Sequence, residues 1–396
     1  MDYSKVILCS STCSPEEYRR LLPDDKFKTG QSIQKYFRIL CSGFVFNDVA
    51  ISVYSKRPVN RRNTRSFYLP HKDEISDGVN YHYSSLLNIK LIGLFYSFMA
   101  SFLWFMSKKN CTKNHLVIID PLQVGASIGC LIACKMRGVK TLSYVTDVAK
   151  EYAKGNSLPS FFKTLSTWVQ VNTSGMVFVT EQMNEIANPK QRPYVVIEGF
   201  VDERMEKQSI DLEDKYSKKV VMYTGGIERI YGLDMLIKGF LYANVPDSEL
   251  HLYGSGSYVK EVINFSHTND CIKYYGIKDN SEIIQEQMKA TLLVNPRYTD
   301  GEYTKYSFPG KNLEYMVSGT PVLTTLLPGM PRDYIPYVYI LKEENANTMA
   351  SLLSGILSQS ASELYAFGAR AKEWMLSNKT SKMQVLKIIQ FAENKL

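Results

Sequence analysis

Lys311 and Glu314 stand one helical turn apart in SFPGKNLEYMVSGTPVL, the stretch from Ser307 to Leu323. A helix that carries both, stops at Ser-Gly and feeds an apolar strand is half of a strand–helix–strand unit. Such units present their helix starts to ligands. Three further stretches place glycine or cations directly after a short apolar run: Gly225-Gly226 with Arg229, Gly254-Ser255-Gly256, and Asn295-Pro296-Arg297. Ligands of an open parallel sheet bind beyond the carboxyl ends of its strands, so all four stretches are expected to converge on one edge. The inventory suits a nucleoside diphosphate. Gly225, Gly226 and Gly254 let backbone N–H groups approach phosphate oxygens. Arg229, Arg297 and Lys311 would neutralise the diphosphate. Glu314, a pure acceptor when ionised, can take both hydroxyls of a ribose. Ser307 and Phe308, at the head of the same loop, join the expected donor-binding set. Each residue alone has a plainer reading, as a tight turn or a solvated surface group. Their joint position at successive strand ends favours binding.

The first half offers fewer groups. Asp147 follows the run TLSYVT and Asp120 precedes Pro121. Either carboxylate could be a helix cap or turn residue; Asp147 could also face a cleft and orient a hydroxyl. Seven cysteines form no CxxC pair and five histidines are scattered, so neither a metal site nor a cofactor is expected. The cysteine usage fits a reducing compartment.

The elements that would position these groups alternate. Apolar runs such as NHLVIID, TLSYV and MVFV are separated by helical-period segments, and the pattern restarts at KKVVMYTGG. This is α/β architecture with parallel sheets. At 396 residues two domains are expected. The boundaries read as 1–195, 196–375 and a closing amphipathic helix over 376–396 that packs back toward the first domain, with a hinge near Val195–Glu203.

Charge is uneven. Residues 1–120 carry 17 Lys and Arg against 10 Asp and Glu, most of the net +8. Arg57, Arg61, Arg62 and Arg65, with Lys26, Lys28, Lys35 and Arg38, are the expected basic surface, suited to anionic lipid. No nucleic-acid-binding motif accompanies the charge. LIGLFYSFMASFLWFM, Leu91 to Met106, is apolar but shorter than the roughly 20 residues of a span. It reads as a buried helix or as one lying in a membrane interface, with Lys108 and Lys109 on headgroups.

YTGGIERIYGLDMLIKGF, LHLYGSGS, LLVNPR and SFPGKNLEYMVSGTPVL, in this order, resemble the C-terminal domain of the family-4 retaining glycosyltransferases of GT-B fold. VIIDPLQVGASIGCLIACKMRGVKTLSYVTD, VFVTEQMNE and VVIEGFVD resemble the capsule and exopolysaccharide branch of that family. The resemblance implies two Rossmann-like domains facing across a cleft, the first for the acceptor and facing a membrane, the second for the donor. It implies metal-independent hexosyl transfer with retention, from a nucleotide sugar, expected to be a UDP-hexose, to a lipid-diphosphate-linked saccharide of a bacterial surface polysaccharide. It implies a cytoplasmic location on the inner face of the plasma membrane. Lys311, Arg229 and Asp147 are the expected catalytic set. Two departures stand out: the family's first glutamate falls on Tyr306, and its glycine-loop arginine and lysine fall on Gly226 and Tyr231. A non-catalytic partner subunit of the same fold, or a sugar-nucleotide epimerase, is the alternative.

Overall fold

A computed structural model describes residues 3–22, 31–60, 64, 66–147 and 160–396. The chain divides into two units, Met1–Phe200 with Ser381–Leu396, and Val201–Thr380. The divisions fall a few residues beyond 195 and 375 for a packing reason. Ile197 and Phe200 belong to the first core, while the helix ending at Asn378 packs in the second unit.

The first unit contains strands β1 (Lys5–Ser10), β2 (Ile51–Ser55), β3 (Tyr68–Leu69), β4 (Lys72–Ser76), β5 (Val79–Tyr83), β6 (Leu86–Leu87), β7 (His115–Ile119), β8 (Lys140–Val145), β9 (Gly175–Phe178) and β10 (Tyr194–Val196). Its helices are α1 (Pro15–Leu21), α2 (Gln31–Val45), α3 (Lys90–Met106), α4 (Val124–Arg137), α5 (Ser160–Val171) and α6 (Met183–Ala187). The main sheet has the order β10-β9-β8-β7-β1-β2-β5-β4, and β3 pairs with β6. The central strands are apolar runs buried on both faces, as helices on both sides of a parallel sheet require. One part of the sheet departs from the expected parallel order: β4 runs antiparallel to β5. Asp77 and Gly78, both at positive φ, make the tight hairpin turn between them.

The second unit contains β11 (Lys219–Thr224), β12 (Ser248–Tyr253), β13 (Ile272–Gly276), β14 (Leu292–Asn295), β15 (Val322–Thr325) and β16 (Tyr339–Leu341). Its helices are α7 (Leu233–Ala243), α8 (Val259–Thr268), α9 (Asn280–Lys289), α10 (Gly310–Val317), α11 (Ala346–Leu357) and α12 (Ala361–Asn378). The sheet order is β13-β12-β11-β14-β15-β16, parallel throughout. The closing helix α13 (Ser381–Lys395) returns to the first unit, where Val385, Ile388, Ile389 and Ala392 join the core beside α2.

Helix α3 is neither simply buried nor a span; no described helix is long and apolar enough to cross a membrane. Its small residues face inward. Gly93, Ser97 and Ser101 are buried, and Ser101 Oγ donates to the Ala126 carbonyl at 2.6 Å. On α4, a Cβ at Gly125 or Gly129 would lie 2.6 Å and 2.3 Å from the carbonyls of Leu94 and Phe98. Backbones this close leave no room for large side chains between the helices, so those of α3 turn outward: Leu91 (70%), Ile92 (60%), Phe95 (64%) and Leu103 (61%) are exposed.

Of the described members of the expected basic surface, Arg57 and Arg38 turn inward and Lys35 is half-buried. Arg57 is buried, donating to the carbonyls of Leu69, Pro70 and Ser84 and lying 3.7 Å from Glu17. Arg38 is half-buried and donates to the Cys13 carbonyl. Lys26, Lys28, Arg61, Arg62 and Arg65 lie outside the described residues.

Candidate functional site: a cationic pocket at the strand ends of the second unit

The edge of the second sheet is built on two glycines. Gly225 and Gly254, directly after β11 and β12, sit at φ +135° and +130°. A Cβ on Gly254 would meet the Gly225 carbonyl oxygen at 1.8 Å, so the two loops touch backbone to backbone. A Cβ on Gly225 would meet Lys311 Cε at 2.2 Å. Only a residue without a side chain lets the first turn of α10 lay its lysine over the end of β11. Gly226 lies under the ring of Tyr231.

Lys311 Nζ donates to the Tyr223 hydroxyl at 2.6 Å and lies 4.2 Å from the Tyr223 ring centroid and 5.3 Å from that of Tyr231. The Arg297 guanidinium lies over the same Tyr231 ring, at 5.3 Å, and over Tyr303, at 4.7 Å. Two cations therefore share one aromatic box. Burial, with the Arg297 charge adding to it and Glu314 opposing, pulls the Lys311 ammonium down to about 7. Arg297 Nε and Ser307 Oγ are buried and have no hydrogen-bond partner among the described residues. The first turn of α10 has no side-chain cap, so its leading N–H groups also need an acceptor. Adjacent cations, orphaned donors and an uncapped helix start are what an anion would satisfy.

Glu314, one turn along α10, is half-buried, and its Oε1 accepts from Gln287 Nε2 at 3.1 Å. The same amide donates to Thr224 Oγ1 at 3.0 Å, tying the carboxylate to the end of β11. Asn312 is held by Asn295 at 2.8 Å. Phe308 is buried against Tyr334 and serves as packing at the loop base.

Lys311, Arg297, Gly225, Gly254, Ser307 and Glu314 thus gather around one strand edge, as their spacing suggests. Arg229 does not join the box. Its side chain is 74% exposed and leans on Asp234 at 3.4 Å, which also accepts from the Tyr298 hydroxyl. Tyr223, Tyr231, Tyr303 and Gln287 were not foreseen. Tyr223 reads as an ordinary strand residue, and Gln287 lies on a different helix; the signal that existed was Tyr231, standing where a lysine was expected.

In the first unit Asp147 follows β8 and is half-buried; burial raises its carboxyl and a hydrogen bond from Thr146 opposes. Asp120 is buried and accepts from the Leu122 N–H (3.0 Å) and Gln123 Nε2 (3.1 Å). Burial pushes it up to about 6, with the neighbouring Asp147 charge adding to the shift. Its bonds make Asp120 a turn residue.

Residues 218–359 match a family model described as glycosyl transferases group 1. No curated protein matches the chain by sequence. Among solved structures, sucrose-phosphate synthase from Thermosynechococcus elongatus superposes with a TM-score of 0.70 at 15% identity, covering 98% of each chain. HepE from Anabaena in complex with UDP gives 0.63 at 12%, over 98% of this chain and 99% of that one. The lipopolysaccharide outer core galactosyltransferase WaaB gives 0.63 at 14%, over 99% and 100%. The chain has the GT-B fold, and the unit that carries the cationic box is similar to the group 1 glycosyl transferases.

Proposed function

We propose that the protein is a glycosyltransferase that takes a hexose from a UDP-sugar bound at the strand edge of the second unit. The observation that carries this reading is the pair Lys311 and Arg297 in one aromatic box, with the Arg297 Nε unpartnered among the described residues. In the reaction an acceptor hydroxyl oxygen bonds to the anomeric carbon, and the bond from that carbon to the diphosphate oxygen breaks. The diphosphate leaves with the electron pair and takes up the acceptor proton. Lys311, Arg297 and the N–H groups of α10 stabilise that leaving charge without a metal, and attack of the acceptor on the face the diphosphate leaves gives retention. Glu314, braced by Gln287, holds the ribose. Asp147 orients a hydroxyl. Arg229 joins only after releasing Asp234.

The acceptor in this reading is a lipid-diphosphate-linked saccharide, and the first unit meets the membrane through α3. Support comes from the outward Leu91, Ile92, Phe95 and Leu103, and from a groove at the C-terminal end of the helix lined by Lys108, Lys113, Lys135 and Arg137. An apolar face rimmed by lysines fits an anionic bilayer surface. A bacterial surface polysaccharide is the product class.

The test is release of UDP from a panel of UDP-hexoses. Slow release in water and faster release with a polyprenyl-diphosphate-linked saccharide are expected. Lys311→Met should lower it on the order of a hundredfold. No release above background from any donor, or equal release by Lys311→Met, would contradict the reading.

A further inference from the structure

The outer hairpin of the first sheet gathers three metal-ligating side chains from its two strands and the residue just before β4. Asp73 on β4 and His82 on β5 are direct cross-strand partners. His71 precedes Asp73 by two positions and so shares its face. The ligand atoms of all three lie within 4.8 Å of one another. His82 Nδ1 is 2.6 Å from one Asp73 carboxylate oxygen, and His71 Nε2 is 3.5 Å from the other. Two imidazoles thus converge on one carboxylate.

The group is held firmly on one side and open on the other. Tyr54 of β2 is the register partner of His82, and the two rings stack at 5.7 Å and 25°. Trp104 of α3 covers the same imidazole at 5.1 Å. His71 and Asp73 face solvent, with side chains 61% and 66% exposed.

We propose that His71, Asp73 and His82 form a binding site for one borderline divalent transition ion of the zinc class. Two imidazole nitrogens and one carboxylate are a donor set that such ions prefer over magnesium or calcium. Ligand atoms about 2.1 Å from a tetrahedral ion sit roughly 3.4 Å apart. His71 Nε2 lies 3.5 Å from one Asp73 oxygen and His82 Nδ1 2.6 Å from the other, within a cluster up to 4.8 Å across, so side-chain rotation that opens the hydrogen bond and draws the wider pair in by about an ångström or more admits the ion. Three protein ligands leave a coordination position open to water or to an exogenous anion. The ion would clip the segment before β4 to the hairpin and, through His82, to Trp104 of α3. The site lies in the first unit, whereas every residue of the cationic box belongs to the second.

Cobalt(II) is the probe, titrated into the chelator-treated, tag-free full-length chain while visible absorption is followed. One saturable equivalent, displaced by zinc, is expected in the wild type, with loss of the signal in His71→Ala and His82→Ala. His71 is exposed, so that variant leaves the core intact; thermal unfolding in chelator should match the wild type. No saturable signal in the wild type would overturn the proposal. So would binding that persists equally in both variants, or a strong near-ultraviolet thiolate band, which would put the ion on cysteine.

Discussion

Lys311 is the residue on which the proposed donor site turns. Its ammonium is pulled to about 7 by burial first and by Arg297 second, so near neutral pH it is partly uncharged. A bound diphosphate raises it again, and binding then takes up a proton. Affinity should therefore fall as pH rises through 7, by up to about tenfold per unit above it. UDP-glucose is the right probe, because its esterified diphosphate does not titrate there. Titration calorimetry from pH 6 to 9 should show the decline in the wild type and a weaker, flat profile in Lys311→Met. A flat wild-type profile would show that the lysine does not carry the diphosphate. Lys311, Arg297 and Glu314 were legible because each follows a strand at a spacing a helix start can use. Arg229 stands apart from the box because Asp234, five residues on, holds it, which its spacing does not show. Arg57 was misread as surface for the same kind of reason: its partners Leu69, Pro70, Ser84 and Glu17 are distant in sequence, and they bury it.

At the scale of elements, α3 shows what hydropathy alone leaves open. The segment is apolar all round, and hydropathy carries no direction. The direction comes from small inward residues: Ser97 and Ser101 let α3 sink onto Gly125 and Gly129 of α4, and Gly93 lets its first turn close on the Leu87 carbonyl. Large side chains are then left outside. Flotation with anionic vesicles should recover the wild-type protein, and Phe95→Asp with Leu103→Asp should abolish recovery without changing the fold. Reversing Lys108 and Lys109 to Glu should weaken binding by roughly 30-fold or more, at about 1 kcal/mol per basic residue removed. Recovery unchanged in both variants would show that the face meets no membrane. The β4–β5 hairpin went unread although Asp77-Gly78 is a strong turn signal. Its outer strand β4 carries Lys72, Asp73 and Glu74 in succession and so lacks the apolar run that marks a core strand. The meeting of His71 with His82 follows from that hairpin's register and could not be seen without it.

For the whole molecule, the strand–helix alternation, its restart near residue 219 and the closing helix were all visible as periodicity. The exact divisions at Phe200 and Thr380 were not, because they depend on which core Ile197, Phe200 and α12 enter. Calorimetric titration of the full-length chain with UDP, UDP-glucose and GDP decides whether the cationic box at the strand edge of the second unit binds a sugar nucleotide. Saturable one-site binding of the uridine ligands is predicted, lost or strongly weakened in Glu314→Ala and in Lys311→Met, with both variants folded. Binding of no nucleotide, or wild-type affinity in both variants, would contradict it and leave the second unit a non-catalytic scaffold of the same fold.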